Sequence, residues 1–407
     1  MLNIFKGKLE QSTDWLNSKF EHARIARPYS MPPRRHPMGD APTRSIESVA
    51  WMERNLEASV SSVYIDDKKI IAGDWNGMLM CWSRDGDKLW STELGDRVAG
   101  IRLSQDENML WCIAGRDALG LDYTNGKIKW QIEFDGSTDL INLDEEGRAW
   151  IVSSVYDIEL NDFIESTISL IDDAGNIVQQ HILNERPWSI HPISKGKSMF
   201  GLGRPRGGIL ELIESKNGFQ VKHESVNDAP VLCGSNTIPY YVGQSNGMII
   251  KISEDVNDAS ILHEFEASII DIEIHDTEII VSLDNHQIIA LDNKGSIISE
   301  NVTEGIPEKI KTLSEKNGYW ISTLTETGST LELMNQKHEM VVKILAESRI
   351  RDIAHSNGIS VVGLDDGRVI AIEQKMLGRR IEETQPSNED GDVRRSDMRE
   401  RLRNLRK

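Results

Sequence analysis

ALGLDYTNGKIKW, residues Ala118–Trp130, reads as a short apolar strand, an Asn-Gly turn and a second strand that ends on tryptophan. Asn-Gly between apolar runs is a strong hairpin signal, because both residues tolerate the positive φ of a tight turn. The preceding stretch repeats the scheme with MLMCW (Met78–Trp82), the turn Arg84-Asp85-Gly86-Asp87, and Lys88-Leu89-Trp90. Looser copies follow at SLIDDAGNIVQQ (169–180), LELIESKNGFQV (210–221), MIIKISEDVNDASIL (248–262), IIALDNKGSIIS (288–299) and LELMNQKHEMVV (331–342). Their turn centres fall near 86, 125, 175, 217, 256, 294 and 337, a period of about 40 residues.

Short alternating strands repeated at roughly 40–45 residues are the pattern of β-propeller blades with four strands each. No helical periodicity interrupts them, so residues 45–375 read as an all-β, eight-bladed propeller. The blades fall at about 59–96, 97–136, 137–186, 187–226, 227–267, 268–305 and 306–347. The last segment, 348–375, supplies only three strands. Its fourth is expected from Ser45–Leu56 (SIESVAWMERNL), with Trp51 standing where Trp90 and Trp130 stand in their own blades. Pairing the first strand with the last blade closes the ring and removes open sheet edges. Seven blades is the alternative, because 306–347 is the weakest copy.

The unit at 118–130 also resembles the repeat of the PQQ-like, tryptophan-docking propellers, roughly "ALD-x-x-TG-x-x-x-W". The resemblance spans about 45–375 and is strongest in the first two units. It implies structural docking roles for Trp51, Trp90 and Trp130. Nine of the ten tryptophans lie at or before Trp188, so the later blades are expected to have lost the docking residue. The family contains exported quinoprotein dehydrogenases, which bind PQQ and calcium, and noncatalytic propellers that dock other proteins. The alcohol dehydrogenases of the first branch typically carry a vicinal cysteine pair. Here Cys81, Cys112 and Cys233 are scattered, and MLNIFKGKLEQSTDW lacks a signal-peptide core. The resemblance therefore points to the noncatalytic branch, without cofactor, in a reducing cytoplasmic setting.

Charge divides the chain. Residues 1–44 carry 8 basic and 4 acidic groups, residues 376–407 carry 9 and 7, and the middle carries 29 and 54. An acidic body thus lies between two basic ends. Residues 1–26 space Leu2, Phe5, Leu9, Leu16 and Phe20 as one face of an amphipathic helix. Residues 27–44 hold five prolines and read as an extended linker. The charged tail, 376–407, is expected to carry a short basic helix near its end.

No phosphate loop, nucleophile elbow or paired-histidine metal motif is present. GLGRPRGG (201–208) runs directly into a strand and reads as a turn. The acidic pairs Asp66-Asp67, Asp144-Glu145-Glu146, Asp172-Asp173 and Asp365-Asp366 sit at hairpin ends, where Asp bonds its own backbone. The departures from the repeat fall in turns between second and third strands. Asp74-Trp75-Asn76-Gly77 puts an indole at a turn tip, an insertion at Val155–Glu165 brings Tyr156 and Phe163, and Arg204-Pro205-Arg206 follows in the next blade. Trp, Tyr and Arg are common interface anchors. Trp75, Tyr156, Phe163, Arg204 and Arg206 are therefore the candidate partner-binding residues of a noncatalytic scaffold. Two alternatives stand beside it: an enzyme with its site in the central channel, and a factor that meets nucleic acid or a membrane surface through its basic arms.

Overall fold

The computed structural model describes residues 34–35, 41–203, 207–224, 229–313 and 318–382. Within residues 41–382 the chain forms eight antiparallel sheets arranged as blades of a propeller. The first seven blades each take four consecutive strands, beginning with Val60–Ile65, Lys69–Asp74, Met78–Ser83 and Lys88–Glu93. The eighth takes Ile350–Ser356, Ile359–Leu364 and Arg368–Glu373, and then Met52–Asn55 from the other end of the chain. Eight blades, not seven, is the observed count, and 306–347 is a full blade.

The closing strand is shorter than the sequence suggests. Ser45 caps a single helical turn, Ile46–Val49, its Oγ accepting from the Ser48 backbone N–H at 3.3 Å. Ile46 and Val49 are fully buried in the cluster formed by blades seven and eight. Only then does Met52–Asn55 pair with the last blade, Met52 opposite Ala371 and Asn55 opposite Arg368. Thr43–Ser45, expected as linker up to residue 44, adds in parallel to the outer strand Met340–Ala346 of blade seven. A helix, Gln374–Glu382, follows the last strand, seeded by the Glu373 carboxylate, which accepts from the backbone of Lys375 and Met376. The expected N-terminal amphipathic helix (1–26) and basic C-terminal helix lie outside the described residues, as do Arg204 and Arg206.

Apolar residues of neighbouring blades meet face to face. Between the first two, Ile71, Leu79, Cys81 and Trp90 pack on Val98, Leu110, Cys112 and Leu119. Removing one such side chain to alanine costs about 2–5 kcal/mol.

The outer rim is stitched by side chains that reach the turn of the next blade. Trp90 Nε1 donates to Tyr123 O at 3.3 Å, and Trp130 Nε1 donates to Asp173 O at 3.0 Å. Trp51 differs from expectation. Met52 holds the register of Trp90 and Trp130, which face Cys81 and Gly120, while Trp51 lies one residue outside the strand and stays exposed. Its indole nitrogen still lies 3.4 Å from Arg84 O. The later blades lack the docking tryptophan, as expected, and other side chains make the same reach. Gln179 donates to Ser215 O, His263 Nδ1 to Gly295 O at 2.8 Å, and Asn301 to His338 O at 3.3 Å.

Candidate interaction face

Strand direction places the second-to-third-strand turns and the blade-to-blade connections on one face of the ring. In the first blade the buried Asp74 carboxylate accepts from Asn76 and Met78 N–H, both at 2.9 Å, and Gly77 takes φ +89°. This tight turn thrusts Trp75 outward. The Arg97 guanidinium, from the connection to blade two, stacks on its ring at 4.3 Å.

The third blade has the longest hairpin, Ala149–Asp157 against Asp162–Ile171. Asp157 Oδ1 accepts from Glu159 and Leu160 N–H, and Asn161 takes φ +53°, so the tip turns sharply. Ile158 and Leu160 are left 85% and 68% exposed there. Below the tip Tyr156 stands opposite Phe163, ring centroids 5.1 Å apart. Arg186, from the connection to blade four, lies over Phe163 at 3.8 Å and over Trp188 at 4.8 Å. Its fork is fixed by Asp139, with contacts of 3.1 and 3.2 Å. Tyr156, Phe163, Arg186 and Trp188 thus form one continuous stack.

Trp188, 46% exposed, is where three hollows meet. One, about 400 Å³, is bordered by Arg97, Arg116, Thr138, Arg186 and Trp188. A second, about 870 Å³, runs past Phe163, Ile164, Pro230 and Leu232. The third is the central channel, about 460 Å³. Of the five candidate residues, the structure describes Trp75, Tyr156 and Phe163, all on this face. Arg97, Arg186 and Trp188 were not anticipated. An arginine placed just before a Pro-Trp pair, as in Arg186-Pro187-Trp188, was the signal available in the sequence.

The channel wall carries its own charges, and they are largely paired. Lys309 Nζ meets Asp352 Oδ1 at 2.7 Å, and Lys311 Nζ meets Glu273 Oε1 at 2.9 Å. Asp271 accepts from Ile272 and Ile310 N–H, while burial and then the Glu273 charge push its pKa up to about 6. Burial lifts the Cys81 thiol to about 12 and raises Cys112 and Cys233 as well, the reverse of what a nucleophile needs. Burial also lowers His191 to about 4. Among the described residues no three His, Cys, Asp or Glu side chains gather as a metal site, and no helix is long and apolar enough to cross a membrane. The acidic pairs serve turns: Asp144 Oδ1 accepts from Glu146 and Arg148 N–H, and Asp172 Oδ1 from Ala174 and Asn176 N–H.

The structure is similar to several solved β-propellers at low sequence identity. BamB from Moraxella catarrhalis is 13% identical over 80% of this chain and 97% of its own, with a TM-score of 0.61. Sqt1 from Saccharomyces cerevisiae is 12% identical over 80% and 98%, with a TM-score of 0.65. The C-terminal WD40 domain of Sif2 is 9% identical over 80% and 97%, with a TM-score of 0.64. No protein-family model and no curated protein matches the sequence. At these identities the likeness concerns the fold.

Proposed function

We propose that the protein is a noncatalytic scaffold, of the PQQ-like kind its repeats resemble, that binds a protein partner on the face bearing Trp75, Phe163, Arg186 and Trp188. The observation that carries this reading is the exposed stack Tyr156, Phe163, Arg186 and Trp188, continued on blade one by Trp75 and Arg97. Rigid aromatic and arginine groups give large contact area at small entropy cost, and such residues dominate interface energetics. Here each is held before any partner arrives: Arg186 by Asp139, Trp75 by its turn, Phe163 by Tyr156. Action in the cytoplasm is part of the proposal and rests on three cysteines that are all free thiols.

Affinity capture with the full chain, compared with a Trp75→Ala, Phe163→Ala, Trp188→Ala triple variant, tests the face. A stoichiometric partner retained by the first and lost by the second supports it. A partner that ignores the triple variant refutes it and turns attention to the terminal arms.

A further inference from the structure

The proposal rests on the scaffold reading and gives the partner a chemistry. Arg97 makes no ion pair among the described residues, and its stack on Trp75 fixes the guanidinium at the rim of the 400 Å³ hollow. The carboxylate that acts on it most strongly through space is Asp139, and Asp139 is already held by Nε and Nη2 of Arg186. Loss of hydration, with Arg351 and Arg186 adding like charge, depresses the Arg97 pKa against the opposing pull of Asp139 and of Asp96, whose Oδ1 already accepts from the Arg97 backbone N–H. Arg351 is itself neutralised by Asp365 at 2.6 Å. Arg97 is thus an exposed cation oriented by its stack on Trp75, with no ion pair of its own among the described residues, in a protein whose net formal charge is −19.

A guanidinium held this way has two planar N–H edges to offer, the geometry a carboxylate accepts. Beside it, Trp188 and the Pro187 ring line the same hollow with apolar surface. We propose that this hollow takes an extended segment of a partner protein in which an Asp or Glu side chain pairs with Arg97 and a neighbouring bulky apolar side chain lies against Trp188. The contact acts at short range. Beyond a Debye length of about 8 Å at physiological salt the acidic body is screened, and the local arginines decide the sign.

Random heptapeptides displayed on phage and selected on the immobilised full chain supply the probes, and winners are remeasured as synthetic peptides by fluorescence anisotropy. The expected winners carry Asp or Glu next to an aromatic or branched aliphatic residue. Arg97→Gln, or Asp→Asn in the peptide, each weakens binding at least tenfold. The two changes together weaken it hardly more than either alone, and Arg97→Lys keeps part of the affinity. Far-ultraviolet circular dichroism and melting confirm that each variant is folded. Winners that respond to Trp188→Ala and Phe163→Ala but not to Arg97→Gln overturn the carboxylate proposal and leave the scaffold face standing. Winners indifferent to all of these substitutions, or no winners at all, count against both.

Discussion

The ring of Trp130 occupies the space that a Cβ at Gly175 would need, 2.7 Å from its nearest ring atoms, while its indole nitrogen binds the carbonyl of Asp173 two residues away. The same relation joins Trp90 to Gly126, where an added Cβ would meet the ring at 2.4 Å. Both glycines also hold positive φ, +73° at Gly126 and +82° at Gly175. Gly126→Ala and Gly175→Ala therefore combine a steric clash with backbone strain. Each is expected to lower stability by about 1–3 kcal/mol, read as a shifted urea midpoint at unchanged slope.

The stitching of the later blades is testable separately. Asn301 is nearly buried and bonds His338 O, and His263 bonds Gly295 O. Asn301→Ala and His263→Ala should each cost about 1 kcal/mol, comparable to the hydrogen bond lost in Trp130→Phe. Equal costs across these three, measured by urea unfolding, would show that the junctions of early and late blades are held by interchangeable means.

Stability should fall on mild acidification through His191. The ring is buried, donating to Ser235 O at 2.8 Å and accepting from Ser189 Oγ at 2.8 Å, and its pKa is lowered from 6.5 to about 4. A depressed histidine favours the folded state fully above the unfolded value, near pH 6.5. That contribution is lost as pH falls toward 4, to a limit of about 3 kcal/mol. Unfolding free energies at pH 7.5, 6 and 5 should show this slope, and His191→Gln should make it shallower whatever it does to absolute stability, the remainder coming from groups such as His355, which burial also lowers to about 4.

Arg186 serves both the fold and the face. Arg186→Ala leaves Asp139 without its fork and frees Phe163 and Trp188 from their shared neighbour. An expected loss of about 1–3 kcal/mol follows from the part-buried carboxylate alone. In a double-mutant cycle with Asp139→Asn the second change should add little, because the two act as one unit.

The ring needs its closing strand. Removing residues up to 57 exposes the edge of Arg368–Glu373 and the apolar surface under Ile46, Val49 and Met52. Such a chain is expected to elute from size exclusion earlier than the full chain, as larger aggregates.

Much of this architecture is written in local signals. Every outer turn centre lies in a Gly- or Asx-bearing hairpin, and the strand alternation between them is regular, so blades and closure could be read directly. The junctions could not. Gln179, His263 and Asn301 share no side-chain chemistry with Trp90, yet each reaches a carbonyl of the next blade, and only the three-dimensional spacing reveals the equivalence. Register defeats sequence in the same way at Trp51, where a one-residue offset hands the inward position to Met52. The face was half legible. Trp75, Tyr156 and Phe163 announce themselves as large rings in turns, whereas Arg97 and Arg186 look like ordinary surface charges until the rings they lie on are known. The helix Gln374–Glu382 was missed because Leu377 alone buries a side chain deeply, too little for a periodic signal.

Met52–Asn55 is made early by the ribosome and its partner Arg368–Glu373 some 300 residues later. At about 5–20 residues per second, the outer strand of the last blade waits roughly 15–60 seconds for a place to pair. Seven blades can build up in order, each on its predecessor, while the eighth joins the two ends of the order. Completion of the ring is thereby a check on the whole chain: a polypeptide broken off between Ala346 and Arg368 has the first seven blades but no way to shut, and it shows the cell an open edge instead of a finished face.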